Sequence, residues 1–178
     1  AGLNLEHYFD GRDRQESKVF FEPRYSTMKL RRLDDQTVEL YQPKTSVYQV
    51  ESWTRLSARS NYVDMHFRCK PHHEEYAGDF LGIFWASYIN GPLDKSVYFL
   101  DAKSDLEKPI WQQFCTQTHN RDSTVMHLSD TTELAFETKN TLFANISPLK
   151  YSAPFFYGRF RNMVLIYVFQ PNPAIRFS

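Results

Sequence analysis

The chain has little of several features that would assign it at once to a familiar class of protein. Its longest uninterrupted apolar run, residues 163–169, is far shorter than the roughly 20 residues that a membrane-spanning helix needs, so we expect no membrane insertion. Its 21 basic and 21 acidic residues cancel, so no net charge directs it towards nucleic acid or an anionic membrane. It also lacks a phosphate-binding loop, a GxGxxG run and a GxSxG elbow, which disfavours nucleotide-dependent and α/β-hydrolase chemistry.

Cysteine is scarce as well. Cys69 and Cys115 are the two cysteines in the sequence, and neither belongs to a CxxC motif, which excludes a zinc ribbon. A single disulfide and two ordinary buried thiols both stay open. Residues 1–4 lack the basic and apolar regions of a signal peptide, so we expect either a cytoplasmic protein or an exported one whose signal has been removed.

Aromatic residues are the informative excess. The 15 Phe, 11 Tyr and 3 Trp make up 16% of the chain, a usage that favours strands with half-buried faces. Six glycines and nine prolines provide turns but no low-complexity linker. The length of 178 residues fits a single domain spanning residues 1–178.

Alternating and apolar runs along the chain predict strands. Residues 27–33 and 36–42 are two β-rich runs separated by two aspartates, which predicts a hairpin. The other predicted strands are an edge strand at residues 18–21, a central strand covered on both faces at residues 80–88, and strands at residues 46–58, 62–69, 96–101, 155–161 and 163–170.

Other segments are expected to be irregular or helical. Residues 1–16 are polar with a turn signal, and residues 145–154 are expected to form a loop. A serine at position 104 and a glutamate at position 107 resemble a capping box and predict a short helix through Trp111 and Phe114. The tally is roughly nine or ten strands with almost no helical periodicity, which predicts an all-β fold, an antiparallel β-sandwich of jelly-roll type with little helix.

Two neighbouring predicted strands carry the clearest functional pattern. Residues of one parity on each strand would present carboxylates, guanidinium groups, a histidine and an indole on one face: Gln49, Glu51, Trp53 and Arg55 from the first strand and Asp64, His66 and Arg68 from the second. Such a face suits a sugar, because an aromatic ring packs against the C–H face of a pyranose while charged groups bond its hydroxyls or carboxylates. A solvated outer face with cross-strand ion pairs is the alternative interpretation.

Three residues of this face are the candidate catalytic groups. Glu51, Asp64 and His66 could divide proton donation and abstraction, as a carboxylate pair or a carboxylate with a histidine does. A glycoside hydrolase and a polysaccharide lyase with His66 or a tyrosine as base stay equally open, as does binding without catalysis.

Further ligand-contacting candidates lie elsewhere in the chain. Trp85, Tyr157 and Arg159 could extend an aromatic, polar surface, although Trp85 in its apolar strand also fits a core position. His119 could reach a ligand from a loop that also contains Arg121, with His127 nearby. No HExxH or EF-hand spacing is present, so we expect no catalytic metal and no cofactor; a structural calcium held by loop carboxylates stays open.

Residues 51–54, 62–67 and 79–85 resemble the sheet-building strands of concanavalin-like jelly-roll domains, in which a Gly-Ile-Phe-type strand follows a strand of alternating acidic and aromatic residues. The resemblance covers residues 45–101. It implies a domain of the kind found in bacterial glycan-degrading enzymes and lectin-like modules, secreted or periplasmic, with the sugar on the concave sheet face. This chain lacks the two closely spaced glutamates that the best-known glycosidases of that type carry on one strand.

The sequence therefore predicts a carbohydrate-directed domain that binds, and in one version cleaves, a polysaccharide or oligosaccharide. The alternative is a non-enzymatic, calycin-type barrel that carries a small apolar ligand among Phe and Tyr side chains. A partner-binding module, which would expose an apolar patch, is the third hypothesis. The oligomeric state is left open.

Overall fold

The computed structural model describes residues 2–88, 93–115, 122–139, 141 and 143–178. Strands make up 45% of the described residues and helices 5%, so the prediction of an all-β, sandwich-like antiparallel fold with little helix is confirmed. The contacts divide the chain into two compact units. We call residues 2–10 and 14–87 the N-terminal unit, and residues 1, 11–13 and 88–178 the C-terminal unit. A single domain over residues 1–178 stays a prediction.

The N-terminal unit contains two sheets and two very short helices. Its elements are β1 (Gly2–Phe9), α1 (Ser17–Phe20), α2 (Glu22–Tyr25), β2 (Lys29–Arg32), β3 (Thr37–Gln42), β4 (Val50–Ala58), β5 (Val63–Pro71) and β6 (Gly82–Tyr88). Strands β2, β3, β4 and β5 form an antiparallel meander in that order, and β1 pairs with β6. The core of this unit contains Leu5, Tyr8, Tyr48 and Val50.

The C-terminal unit also contains a four-stranded antiparallel sheet, in the order β12-β11-β7-β8. Its elements are β7 (Val97–Leu100), β8 (Trp111–Phe114), β9 (Thr124–His127), β10 (Ile146–Tyr151), β11 (Phe155–Phe160) and β12 (Met163–Val168). Strands β9 and β10 pair in parallel. The core side chains are Phe99, Phe114, Val125, Tyr151 and Phe177.

The predicted hairpin is confirmed as β2 and β3, which pair antiparallel with Lys29 opposite Tyr41. Its turn is held by the Asp34 carboxylate, which accepts a hydrogen bond from the Gln36 N–H at 2.8 Å. The strands predicted at residues 155–161 and 163–170 are confirmed as the β11–β12 hairpin, in which Arg161 takes the left-handed φ of 55° that a tight turn requires.

The edge strand expected at residues 18–21 is wrong, because α1 and α2 occupy this segment. The Phe21 N–H donates to the Ser17 carbonyl at 2.9 Å, which closes a helical turn, and Pro23 stands at the start of α2 where its missing N–H costs nothing. The rings of Phe20 and Phe21 pack on His7, with centroid distances of 4.3 Å and 4.7 Å. The first part of the polar N-terminal segment is not irregular, since residues 2–9 form β1.

The predicted helix through Trp111 and Phe114 is wrong, because these residues form β8. The Asp105 carboxylate accepts hydrogen bonds from the N–H groups of Glu107 and Lys108 at 3.0 Å and 2.9 Å, so the chain turns where the helix was expected.

Two further expectations are corrected. The expected loop at residues 145–154 contains β10. The apolar strand expected at the centre of a sheet is β6, which belongs to a two-stranded sheet among the described residues. Neither of the two short helices, nor any other helix in the described ranges, is long and apolar enough to cross a membrane.

Candidate functional site

The register of β4 and β5 brings the predicted polar residues to one side of the sheet. Trp53 lies opposite Arg68, and Arg55 lies opposite His66. Directly opposed residues of an antiparallel pair project to the same side, and every second residue along each strand joins them. This side, which we call the outer face, therefore includes Glu51, Trp53, Arg55, Asp64, His66 and Arg68. Gln49 does not belong to it, because it precedes β4 with a φ of 52°.

A row of four side chains crosses the outer face at right angles to the strands. Lys29 of β2 lies opposite Tyr41 of β3, which lies opposite Trp53, which lies opposite Arg68. The guanidinium carbon of Arg68 is 4.3 Å from the Trp53 ring centroid, within the range of a cation–π interaction. The Tyr41 and Trp53 ring centroids are 5.6 Å apart. We call these four residues the Trp53 row.

The next row is an ion cluster centred on a buried carboxylate. The Glu39 carboxylate accepts hydrogen bonds from Arg31 and from Arg55, the latter at 3.1 Å. These two bonds hold the pKa of Glu39 below its usual range. Arg55 is therefore already engaged, and this cluster ties β2, β3 and β4 together across the face.

Glu51 sits at the other end of the face in a small hydrogen-bonded group. Its carboxylate accepts a hydrogen bond from the Tyr41 hydroxyl at 2.8 Å and lies 3.0 Å from the His72 Nε2. The bond from Tyr41, followed by that with His72, lowers the pKa of Glu51, and the same bond raises the pKa of Tyr41. Both pKa values are thus moved further from neutral pH, whereas efficient acid–base catalysis needs a group whose pKa is near the working pH.

Glu51 lies far along the strands from the other two candidate catalytic residues, Asp64 and His66, which stand two positions apart on the same side of β5. Glu51 is opposite Lys70, whereas Asp64 is opposite Ser57, which stands six positions further along β4. At the rise of an extended strand this separates the two carboxylates by about 20 Å, whereas glycosidase carboxylates lie roughly 5–10 Å apart. Glu51 and Asp64 therefore do not form a catalytic pair on one glycosidic bond. His66 is opposite Arg55, which stands four positions beyond Glu51 along β4.

The outer face contains cationic side chains that are not paired with its carboxylates. Its carboxylates are all engaged: Glu39 and Glu51 as above, and Asp64 at 3.8 Å from Arg59. By contrast, no carboxylate in the part of the chain that the structure describes forms an ion pair with Lys29, Arg68 or Lys70, and Lys70 acts on Glu51 only at longer range. Lys29, Arg68 and Lys70 are exposed, so they give the face an excess of available positive charge.

Trp85 does not lie on the outer face. Its ring packs edge-to-face on Phe67 at 5.4 Å, and Phe67 is opposite Thr54, on the buried side of the sheet. The core interpretation of Trp85 is thus the one the structure supports. His119 and Arg121 lie outside the described residues.

Tyr157 and Arg159 belong to the C-terminal unit and are described separately from the outer face. Tyr157 stacks on Tyr98 with a centroid distance of 5.0 Å and an interplanar angle of 7°, and Trp111 contacts it edge-on at 5.6 Å. Arg159 lies 3.8 Å from the Asp94 carboxylate.

Sequence reasoning missed Lys29 and Tyr41. The signal for them was present, because Lys29 and Tyr41 have the parity of Arg31 and Glu39 in the predicted hairpin. Their role depended on the pairing of β3 with β4, which a single sequence does not reveal.

The cysteines and the metal-capable side chains of the described residues are separate groups. Cys69 and Cys115 are both free thiols, and burial raises the pKa of Cys69. Within the described ranges, no group of three or more His, Cys, Asp or Glu side chains is arranged to hold a metal ion.

Comparison with known proteins identifies no relative of this chain. No protein-family model matches the chain, and neither a curated protein nor a solved structure matches it. The resemblance to concanavalin-like domains accordingly stays a prediction, and the outer face, with the Trp53 row at its centre, has to be interpreted from its own chemistry.

Proposed function

We propose that the N-terminal unit binds an acidic polysaccharide across its outer face. The observation that carries this proposal is the Trp53 row, in which two half-buried aromatic rings stand between two exposed cations, Lys29 and Arg68. The row crosses three strand spacings, about 14 Å, which is long enough to contact several sugar rings.

The chemistry of the row matches a uronate chain. Tyr41 and the part of the Trp53 ring that Arg68 does not cover offer apolar surface to pyranose rings, and Lys29 and Arg68 stand at the two ends of the row, where they would meet carboxylates. Because a guanidinium group bonds a carboxylate through two parallel N–H groups, Arg68 supplies direction as well as charge. Lys70, two positions beyond Arg68 on the same side of β5, extends the cationic surface.

The mixture of charges favours a glycan over a nucleic acid. Glu39, Glu51 and Asp64 lie among the cations of the outer face. A polyanion as dense as a nucleic acid, with one charge for about every 1.7 Å of duplex, would be repelled by these carboxylates. A sugar chain has fewer charges, and its hydroxyls can donate to them.

We propose binding without cleavage. The separation of about 20 Å opposes a catalytic pair of Glu51 and Asp64, and the pKa shifts of Glu51 and Tyr41 oppose acid–base catalysis by these two groups. This proposal agrees with the lectin-like version of the concanavalin-like resemblance. A secreted or periplasmic location in a bacterial glycan-degrading system would suit such a ligand.

The test measures binding of polygalacturonic acid and of neutral dextran to the full chain by isothermal titration calorimetry. We expect the acidic polymer to bind more tightly, and Arg68→Gln to weaken it roughly tenfold, the effect of one lost charged hydrogen bond. Arg32→Gln is the matched control, because Arg32 lies on the same sheet but projects to the opposite side, opposite Val38. Equal binding of the two polymers, or an equal loss in Arg32→Gln, would refute the proposal.

A further inference from the structure

The last strand of the C-terminal sheet, β12, has one open edge. It pairs with β11 on one side, and no other strand of the described residues pairs with it on the other side. The turn between β11 and β12 has two residues, so Phe160 and Met163, which flank it, exchange both of their backbone hydrogen bonds. Because this pattern alternates along an antiparallel pair, Val164, Ile166 and Val168 direct their N–H and C=O groups to the open edge. Such a row of backbone donors and acceptors is matched by another strand.

The side chains of β12 are apolar on both sides of the sheet. Val164, Ile166 and Val168 project to one side, and Met163 and Leu165 project to the other. Between 37% and 76% of each of these five residues is exposed. The strand contains no charged residue. Single exposed apolar residues are common, but a contiguous apolar strand at an open sheet edge is a site where another strand can pair.

The other edge strands of the two four-stranded sheets are more polar than β12. In the N-terminal unit, three of the four residues of β2 are basic, and β5 contains Asp64, Arg68 and Lys70. In the C-terminal unit, two of the four residues of β8 are glutamines. Charged side chains at an edge oppose pairing, because a second strand would remove them from water. Of these four edge strands, β12 is therefore matched best by another β12.

We propose that β12 pairs antiparallel with the β12 of a second copy of this chain, about a two-fold axis that passes beside Ile166. This register places Ile166 opposite its own counterpart and Val164 opposite Val168 of the second copy, so the outward backbone groups of both strands meet. Pro171, which has no N–H to donate, lies beyond the paired residues. Each copy uses its β12 once and leaves the more polar β8 at the outer edge, so the assembly closes as a dimer.

The expected interface is small. The six residues of β12 span about 20 Å, and pairing covers five exposed apolar side chains from each copy. We expect a buried area of about 1,000 Å² in total, near the lower limit of specific protein interfaces, and hence a reversible dimer. The dimer does not depend on the glycan proposal, because β12 belongs to the C-terminal unit and the outer face to the N-terminal unit.

Sedimentation velocity of the full chain, from low micromolar to several hundred micromolar, tests the proposal. We expect the average mass of the parent chain to rise from that of one chain towards that of two. Ile166→Lys places two like charges opposite each other and should weaken dimerisation roughly tenfold or more, and Ile166→Glu should do the same. An equimolar mixture of these two variants should dimerise again, because a lysine of one copy then faces a glutamate of the other.

Leu106→Lys and Leu106→Glu are the matched controls. Leu106 is an exposed leucine of the same unit and lies outside its strands, so both variants should dimerise as the parent does. Circular dichroism checks that each variant is folded. Val168→Lys, at the most exposed residue of β12, repeats the test should Ile166→Lys not fold. Adding Val164→Glu to Val168→Lys should restore the dimer, because these two positions face each other across the axis.

Four results would overturn the inference. These are a parent chain that stays monomeric over the whole concentration range, association of the parent beyond a dimer, dimerisation of folded Ile166→Lys as tight as that of the parent, and a mixture of the Ile166 variants that associates no more than either variant alone. Polygalacturonic acid binding should be the same in Ile166→Lys as in the parent, so failure here is distinguishable from failure of the glycan proposal.

Discussion

Removal of the Glu22 carboxylate is expected to be one of the most destabilising single changes in the N-terminal unit. Glu22 begins α2 and is only 2% exposed. One carboxylate oxygen accepts hydrogen bonds from the Ser46 hydroxyl at 3.0 Å and the Val47 N–H at 2.5 Å, and the other accepts from the Tyr48 N–H at 3.0 Å. A single side chain thus holds the irregular segment that leads into β4.

The magnitude follows from the donors that would be left without an acceptor. Glu22→Ala leaves two backbone N–H groups without an acceptor, those of Val47 and Tyr48, and the Tyr48 N–H is buried. A buried donor without a partner lowers the free energy of unfolding by about 1–3 kcal/mol. Allowing less for the partly buried Val47 N–H, we expect a loss of about 2–4 kcal/mol in the free energy of unfolding. This is a large fraction of the roughly 5–15 kcal/mol that stabilises a typical domain.

Urea unfolding followed by tryptophan fluorescence measures this loss. Glu22→Gln separates hydrogen bonding from packing, because it keeps the shape of the side chain but places an N–H group where one oxygen accepted, and it should also destabilise. Glu16→Ala is the control, since Glu16 is exposed and makes no capping hydrogen bond. A loss below about 0.5 kcal/mol in Glu22→Ala, or an equal loss in the control, would refute the reasoning.

Two further predictions concern pH and packing. Burial raises the pKa of Asp130, but the Arg176 guanidinium at 2.7 Å and the Thr132 N–H at 2.9 Å outweigh it and hold the pKa below its usual range. The stability that this lowered pKa provides is present at neutral pH and is lost as pH falls below about 4. In urea unfolding, the free energy of unfolding should therefore fall less between pH 7 and pH 3 in Asp130→Asn than in the parent chain. An equal fall in both proteins would contradict the prediction. A Cβ atom at Gly82 would lie 2.1 Å from the Phe9 ring, so Gly82→Ala should cost about 1–3 kcal/mol of unfolding free energy. Phe9→Ala should relieve most of that cost in a double-mutant cycle, and additive losses would show that the contact is not responsible.

Local alternation was enough to predict several elements. The β2–β3 hairpin follows from apolar and polar residues alternating on both sides of a short polar turn, and the β11–β12 hairpin from two largely apolar runs that meet at Asn162. The common side of Trp53 and Arg68 was predictable for the same reason, because two adjacent strands of opposite direction place their residues of matching parity together.

Strand β1 shows where such reasoning fails. Its segment contains Glu6 and His7, which suggest a solvated turn, yet both are buried. Glu6 is paired with Arg24, and the His7 Nδ1 lies 2.9 Å from the Phe20 carbonyl oxygen. Polar side chains are buried where distant residues satisfy them, and those partners cannot be identified from the surrounding sequence.

The amino-acid sequence alone determined the all-β class and the polar character of one side of β4 and β5, because a strand has a period of two that is visible in the order of its residues. The tertiary structure decided which positions meet across the sheet. It placed Glu51 opposite Lys70 rather than near Asp64, brought Lys29 and Tyr41 into line with Trp53, and packed the Trp85 ring on Phe67. Register and long-range packing depend on contacts between residues distant in the chain, and the order of residues within a single strand does not reveal those contacts.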